Sequence, residues 1–114
     1  MTTNYYLVYK REIRRLLAKT GASGGWEISF TKREDLDGAL ARCTTCMGER
    51  WVRFAFNSKH PANRSHSAVK RAARHEFGHF VLNRMERLAE SRFVTEREIE
   101  EESEAIARIF EKLG

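Results

Sequence analysis

Three residues within the stretch "RAARHEFGHF" could do chemistry together: His75, Glu76 and His79, in the order H-E-x-x-H. On a helix, residues four apart share a face, with Cβ atoms about 5–6 Å apart. That spacing lets two imidazole nitrogens reach one zinc ion at about 2.0–2.1 Å each. Glu76 projects beside them and is poorly placed to ligate together with both. It suits a general base acting on a water that the ion activates, and then passing the proton to a leaving amine. Gly78, inside the motif, leaves room beside the metal side of the helix. The plain alternative is a solvated patch of two His and a Glu, or a charged network. Three fixed residues are a moderate signal alone and a strong one with a third ligand.

The remaining histidines, His60 and His66, precede the motif, and none follows His79. A third ligand further along the chain therefore has to be a carboxylate or be absent. The last apolar pattern carries Ile99, Ile106, Ile109 and Leu113. A seam of alternating three- and four-residue steps through them also includes Glu102. A carboxylate thus stands where the core pattern calls for an apolar side chain, and a buried unpartnered carboxylate is costly. A zinc ion held by two His would be a partner. Glu101 and Glu104 read as solvated; Glu104 lies about 200° around the helix from Glu102. The alternative for Glu102 is an acid placed near the positive end of a helix dipole. His75, His79, Glu102 and a water make an open, catalytic type of zinc site, with one Zn2+ per chain. Peptide-bond hydrolysis with Glu76 as base is its natural reaction.

The run "HEFGHFVLNRMERLAE", followed by an acidic helix with a capped start, resembles HExxH zincin metallopeptidases of the gluzincin type. It is similar to the minigluzincins and to short metallopeptidases often encoded by bacteriophages. The likeness covers about residues 26 to 113, with "HEFGH" its most specific part. It implies a zinc-dependent peptidase with a small sheet packed on two zinc-binding helices and a peptide or protein substrate. It also implies that the strand before the motif helix, "RWVRFAFN", lies at the sheet edge along the cleft and pairs with extended peptide. Trp51, Arg53, Ala55 and Asn57 would then bind substrate.

Other reactive residues are weaker signals. Cys43 and Cys46, in "CTTC", are either half of a zinc knuckle or a plain pair of strand and turn thiols, and the second reading is preferred. Asn83 continues the row of His75 and His79 at four-residue spacing. Tyr5, Tyr6, Tyr9 and His66 are candidates for stabilising an oxyanion.

Positioning these residues needs a folded frame, and 114 residues suffice for one domain, spanning the whole chain. The segment "NYYLVYKREIRRLLAKTG" repeats apolar residues at helical spacing, with Asn4 as cap and Gly21 as stop. "WEISF" alternates as a half-buried strand does, and "GALARCTTC" with "ERWVRFAFN" reads as a hairpin turning near Met47 and Gly48. Val52, Phe54 and Phe56 share one face of its second arm. Pro61 ends the sheet. A long helix is expected from Ser65 to Ala89, with Val69, Ala73, Phe77, Phe80, Val81, Met85 and Leu88 inward. A last helix is expected from Glu96 to Leu113, with Thr95 and Glu98 as a capping box and Val94 with Ile99 as a staple. The expected class is α+β: an N-terminal helix, a small three-stranded, mainly antiparallel sheet, the HExxH helix and a C-terminal Glu-bearing helix.

The net charge is +5, with basic residues gathered near 10–19 and 64–74 and acidic ones near 96–104. Solvated helix faces explain most such runs. Two other functions therefore stand beside the peptidase: a catalytically silent zinc-binding interaction module, and a basic DNA-associated accessory protein. No signal peptide or long apolar run is present, and a lone C-x-x-C is no secreted disulfide framework. The expected location is cytoplasmic, in a prokaryotic or phage-infected cell.

Overall fold

The computed structural model describes residues 3–89 and 95–113, and the side chains of 110 and 111 are outside the description. Its elements are α1 (Tyr5–Thr20), β1 (Glu27–Arg33), β2 (Ala41–Cys46), β3 (Trp51–Asn57), α2 (His66–Ala89) and α3 (Glu96–Leu113). The class is α+β, and the element order is the expected one.

Each helix starts where its sequence supplies a polar partner, and α1 also ends at one. The Asn4 side chain accepts from the Leu7 N–H, and Gly21 takes a left-handed φ of 70° while its N–H closes on the Leu17 carbonyl. Only glycine adopts that conformation without a Cβ penalty. The Ser65 hydroxyl accepts from the Ala68 N–H before α2, and Thr95 accepts from the Glu98 N–H before α3. The staple residue Val94 lies outside the described residues.

The sheet is mixed rather than mainly antiparallel. Its order is β1-β3-β2, with β2 antiparallel and β1 parallel to β3. The cause is the segment 34–40, which leaves β1 and crosses the far end of β3 before starting β2. Two buried asparagines hold that crossing. Asn57 donates its backbone N–H to Leu40 and its side-chain amide to Ala39, and the Asn63 amide reaches the carbonyls of Leu40 and Asn57. A loop carried over a strand end needs such partners for its own peptide groups.

One sheet face carries Val52, Phe54 and Phe56 against the helices, as their alternation requires. Phe80 of α2 meets Phe54 and Trp26 edge-on, and Tyr9 of α1 tilts against Phe56. Helices α1 and α2 run parallel, tied by Tyr5 to the Arg64 carbonyl, Glu12 to Arg74, and Arg84 to the Ala22 carbonyl. Ile106 and Ile109 of α3 are buried in the same core. Full burial of each such large apolar side chain contributes about 1.5–3 kcal/mol. Met85 is exposed, and the buried position beside it on α2 belongs to Arg84.

Candidate metal centre

Helix α2 presents its buried stripe, Val69, Ala73, Phe77 and Phe80, to the core. The flank of that stripe holds the motif. His75 and His79 are exposed, while Glu76, one residue round the helix, is 7% exposed and lies under strand β2. The Nε2 atoms of His75 and His79 stand 3.0 Å apart, with the rings nearly perpendicular. Two nitrogens bound to one tetrahedral zinc sit about 3.3 Å apart. The pair therefore converges on a single point at close to the required separation. One ligand atom from each of His75, Glu76 and His79 lies within 4.8 Å of the others, so the group can hold a metal ion.

Glu76 is held from the sheet side. The backbone N–H of Cys43 faces its carboxylate, while the Arg42 guanidinium, which donates to the Leu36 carbonyl, acts on it only through its charge. Burial raises its pKa above the ordinary carboxylate value, and His79, His75, the Cys43 N–H and Arg42 oppose that rise. Beneath it lies Tyr9, wholly buried, whose hydroxyl has no hydrogen-bond partner among the described residues. Burial first, and Glu76 second, push that phenol's pKa up. Tyr9 thus sits beside the acid rather than in an open cleft. Tyr5 and His66 pack edge-to-face at the start of α2, and Tyr6 stacks on Phe56 near α1.

Strand β2 is the edge of the sheet that overlooks this site. The Asn57 N–H bonds Leu40, and the register pairs Arg42 with Ala55 and Thr44 with Arg53. By alternation the peptide groups of Ala41, Cys43 and Thr45 point away from β3, toward α2. Two clefts meet at Glu76. One, of about 300 Å3, is lined by Ala41, Arg42, Cys43, His79 and Asn83. The other, of about 470 Å3, runs past His75 between Leu40 and Ala72. Asn83 donates to the Thr45 hydroxyl at 3.1 Å, which ties the row of motif residues to the edge strand.

Two expectations need correction. Glu102 does point inward, but it does not join the His75–Glu76–His79 group. Its carboxylate is taken by Arg84, whose Nε donates at 3.0 Å and whose Nη2 forms an ion pair with the same oxygen. Arg84 lies nine residues after His75, on the opposite side of α2 at about 100° per residue. Helix α3 packs on that opposite side. The inward carboxylate does need a partner, and the partner is a guanidinium. The two imidazoles fit a metal ion; Glu102, in this arrangement, does not complete the set.

The edge strand is likewise β2, and the expected one, β3, is the middle of the sheet, hydrogen-bonded on both sides. Its backbone is unavailable to a peptide. Trp51, Arg53, Ala55 and Asn57 point away from the face that carries Val52, Phe54 and Phe56. Arg53 lies over the Trp51 ring on the outer sheet surface, Ala55 is buried, and Asn57 anchors the crossing loop. Cys43 and Cys46 are free thiols on opposite faces of β2, as an odd spacing in a strand demands, and do not form a half-knuckle with His60 and His66.

Arg84 and the backbone of β2 around Cys43 are neighbours of the site that no motif in the sequence announces. Arg84 was legible in part, since it follows Phe77 by seven residues in an otherwise apolar stripe. The partners of Glu76 had no local signal, because they arrive from a strand more than thirty residues earlier. No helix among the described residues is long and apolar enough to cross a membrane. No protein-family model matches the chain, and it matches no curated protein and no solved structure.

Proposed function

We infer that the chain is a zinc-dependent peptidase whose metal is held by His75 and His79 and whose base is Glu76. The observation that carries this reading is the convergence of two imidazole nitrogens at 3.0 Å beside a buried carboxylate, under a free strand edge. The chemistry a bound zinc ion supplies is Lewis acidity, which polarises a peptide carbonyl and makes hydroxide accessible near neutral pH.

The chain's own groups do the rest. Glu76, with its affinity for protons raised by burial, accepts a proton from water and delivers it to the departing amine. The Cys43 N–H meets its carboxylate from the β2 side, a partner that does not depend on substrate. The outward peptide groups of Ala41 and Thr45, and the Cys43 carbonyl, pair with an extended substrate strand across the cleft. Asn83 holds β2 at its distance from α2 through Thr45.

A second reading, a catalytically silent metal-binding module, is favoured by one observation: Glu102 is committed to Arg84, which among the described residues leaves the nitrogens of His75 and His79, with Glu76 beside them, to anchor a metal. One set of measurements decides between them. Zinc content by native mass spectrometry and hydrolysis of a broad peptide library are compared for wild type, His75→Ala, His79→Ala and Glu76→Gln. The peptidase reading expects about one zinc per chain, lost in either His variant. It expects Glu76→Gln to keep zinc and lose hydrolysis. Zinc retained in both His variants, or turnover unchanged in Glu76→Gln, refutes it. Zinc binding with no hydrolysis of any library member establishes the silent module.

A further inference from the structure

The opposite edge of the sheet carries a second groove that the metal centre does not use. It lies between α1 and β1, encloses about 570 Å3, and is lined by Tyr6, Lys10, Arg14, Leu17, Ile28 and Phe30 among others. No acidic residue lines it. Lys10 stands over the Tyr6 ring with its ammonium 4.4 Å from the centroid, and the Arg14 guanidinium stands 4.9 Å from that of Phe30. Both rings rest in turn on the core, Tyr6 on Phe56 and Phe30 on Phe54. The cations are therefore held along one stripe of α1 by aromatic rings, not left to wander in solvent.

Strand β1 forms the floor, and its outer edge pairs with no strand among the described residues. The Glu27 N–H donates to Arg50 and the Arg33 carbonyl accepts from Ser58, so both ends of the strand bond toward β3 at odd positions. By alternation the N–H and C=O groups of Ile28, Phe30 and Lys32 point outward. Three consecutive outward residues offer a short ladder to an added strand. Lys10 and Arg14 are four residues apart on a helix, a rise of about 6 Å. Alternate side chains of an extended strand recur every 6.6–6.8 Å, at about 3.3–3.4 Å per residue. The two repeats match closely enough for acidic side chains at alternate positions of an added strand to meet Lys10 and Arg14 in turn.

We propose that the groove between α1 and β1 binds an extended acidic peptide, which adds to the free edge of β1 and places alternate carboxylates against Lys10 and Arg14. Main-chain bonds to Ile28, Phe30 and Lys32 supply affinity, and the cation pair supplies selectivity for acid-x-acid sequences. An oligonucleotide fits the charge but not the floor. The outward peptide groups would be left without a ladder, and the two aromatic rings already lie beneath cations rather than open for base stacking.

The test measures binding to the intact chain by fluorescence anisotropy at low salt. The probe is a labelled, end-blocked peptide with Glu at alternate positions and Val or Thr between them. Controls are the same peptide with Lys for Glu, an N-methylated version that cannot form the outward ladder, and a labelled oligothymidine of similar charge. The expected result is saturable binding of the acidic peptide, lost in both peptide controls. The double charge reversal Lys10→Glu with Arg14→Glu should weaken it on the order of tenfold or more, with unchanged far-ultraviolet circular dichroism. Glu76→Gln, at the other edge, should bind the probe as wild type does. Equal binding of the Lys or N-methylated peptide, tighter binding of oligothymidine, or no binding at all overturns the proposal. The last outcome would leave the cations as guards against edge-to-edge pairing.

Discussion

The residue whose role changed most on folding is Glu102. It is inward-facing, and its ion pair with Arg84 leaves the two side chains 12% and 4% exposed. Removing one partner of such a pair leaves the other buried and uncompensated. Glu102→Ala should therefore destabilise the fold by about 3 kcal/mol while leaving zinc occupancy of His75 and His79 unchanged. Denaturant unfolding and metal analysis on the same sample check both halves. The double variant Arg84→Met with Glu102→Leu should cost less than either single truncation, because no orphaned charge remains. Loss of zinc in Glu102→Ala, with stability preserved, would return Glu102 to the metal. Cys43 gives a second test at this scale. Burial, and then the neighbouring Glu76 carboxylate, push its thiol up to about 12. The nucleophile is the thiolate, so at pH 8 Cys43 remains a protonated thiol. Iodoacetamide should modify it far more slowly than an ordinary exposed cysteine at that pH, with the rate rising only as the pH approaches 12. Peptide mapping by mass spectrometry reads the result, and rapid labelling at pH 8 would contradict the burial described here.

At the scale of elements, helix α2 carries both the core stripe and the motif, and its weakest helix former is Gly78. Nothing lies within 4 Å of where a Cβ at Gly78 would stand. The glycine is thus not required for close packing, and the space beside it is open. Gly78→Ala should stabilise the chain by about 0.5–1 kcal/mol, measured as a rise in the denaturation midpoint. Zinc affinity should stay the same, since His75 and His79 are positioned by the helix as a whole. A fall in stability would mean that the backbone near Gly78 departs from regular helix. The same element logic explains why β2, not β3, faces the candidate metal centre. Segment 34–40 carries the chain across the end of β3, which puts β3 in the middle and leaves β1 and β2 as the two free edges among the described residues.

At the scale of the whole molecule, the core is built from residues other than the candidate metal ligands. Tyr9, Phe54, Phe56, Phe80 and Ile109 are buried without reference to His75 and His79, which are exposed. Arg84 links three segments by bonding Glu102 of α3 and the Ala22 carbonyl after α1 from its place on α2. Chelation should consequently leave the chain folded. The stability lost on metal removal is limited to the binding linkage, about 2.7 kcal/mol at a free metal concentration one hundred times the Kd. Thermal unfolding with and without a chelator, followed by circular dichroism, tests this. Unfolding of the apo-protein at room temperature would show instead that the metal is part of the fold.

Periodicity, with the capping and turn residues at the element ends, determined where the helices and strands of this chain lie, because apolar spacing of 3.6 or 2 residues follows from burying one face of each element. It also made the His75–Glu76–His79 cluster legible, since four-residue spacing on a helix is a local property. The inward direction of Glu102 was legible for the same reason. What took hold of Glu102 was not. Helix phase says which side of an element faces inward, but not which neighbour it meets there. The packing of α3 against the Arg84 side of α2 made that choice. Sheet order was hidden likewise, because a strand's alternation is the same whether it sits at an edge or in the middle. The bonds of Asn57 and Asn63 to a loop up to 23 residues away settled which edge overlooks the candidate metal centre and which is left to the cations of α1.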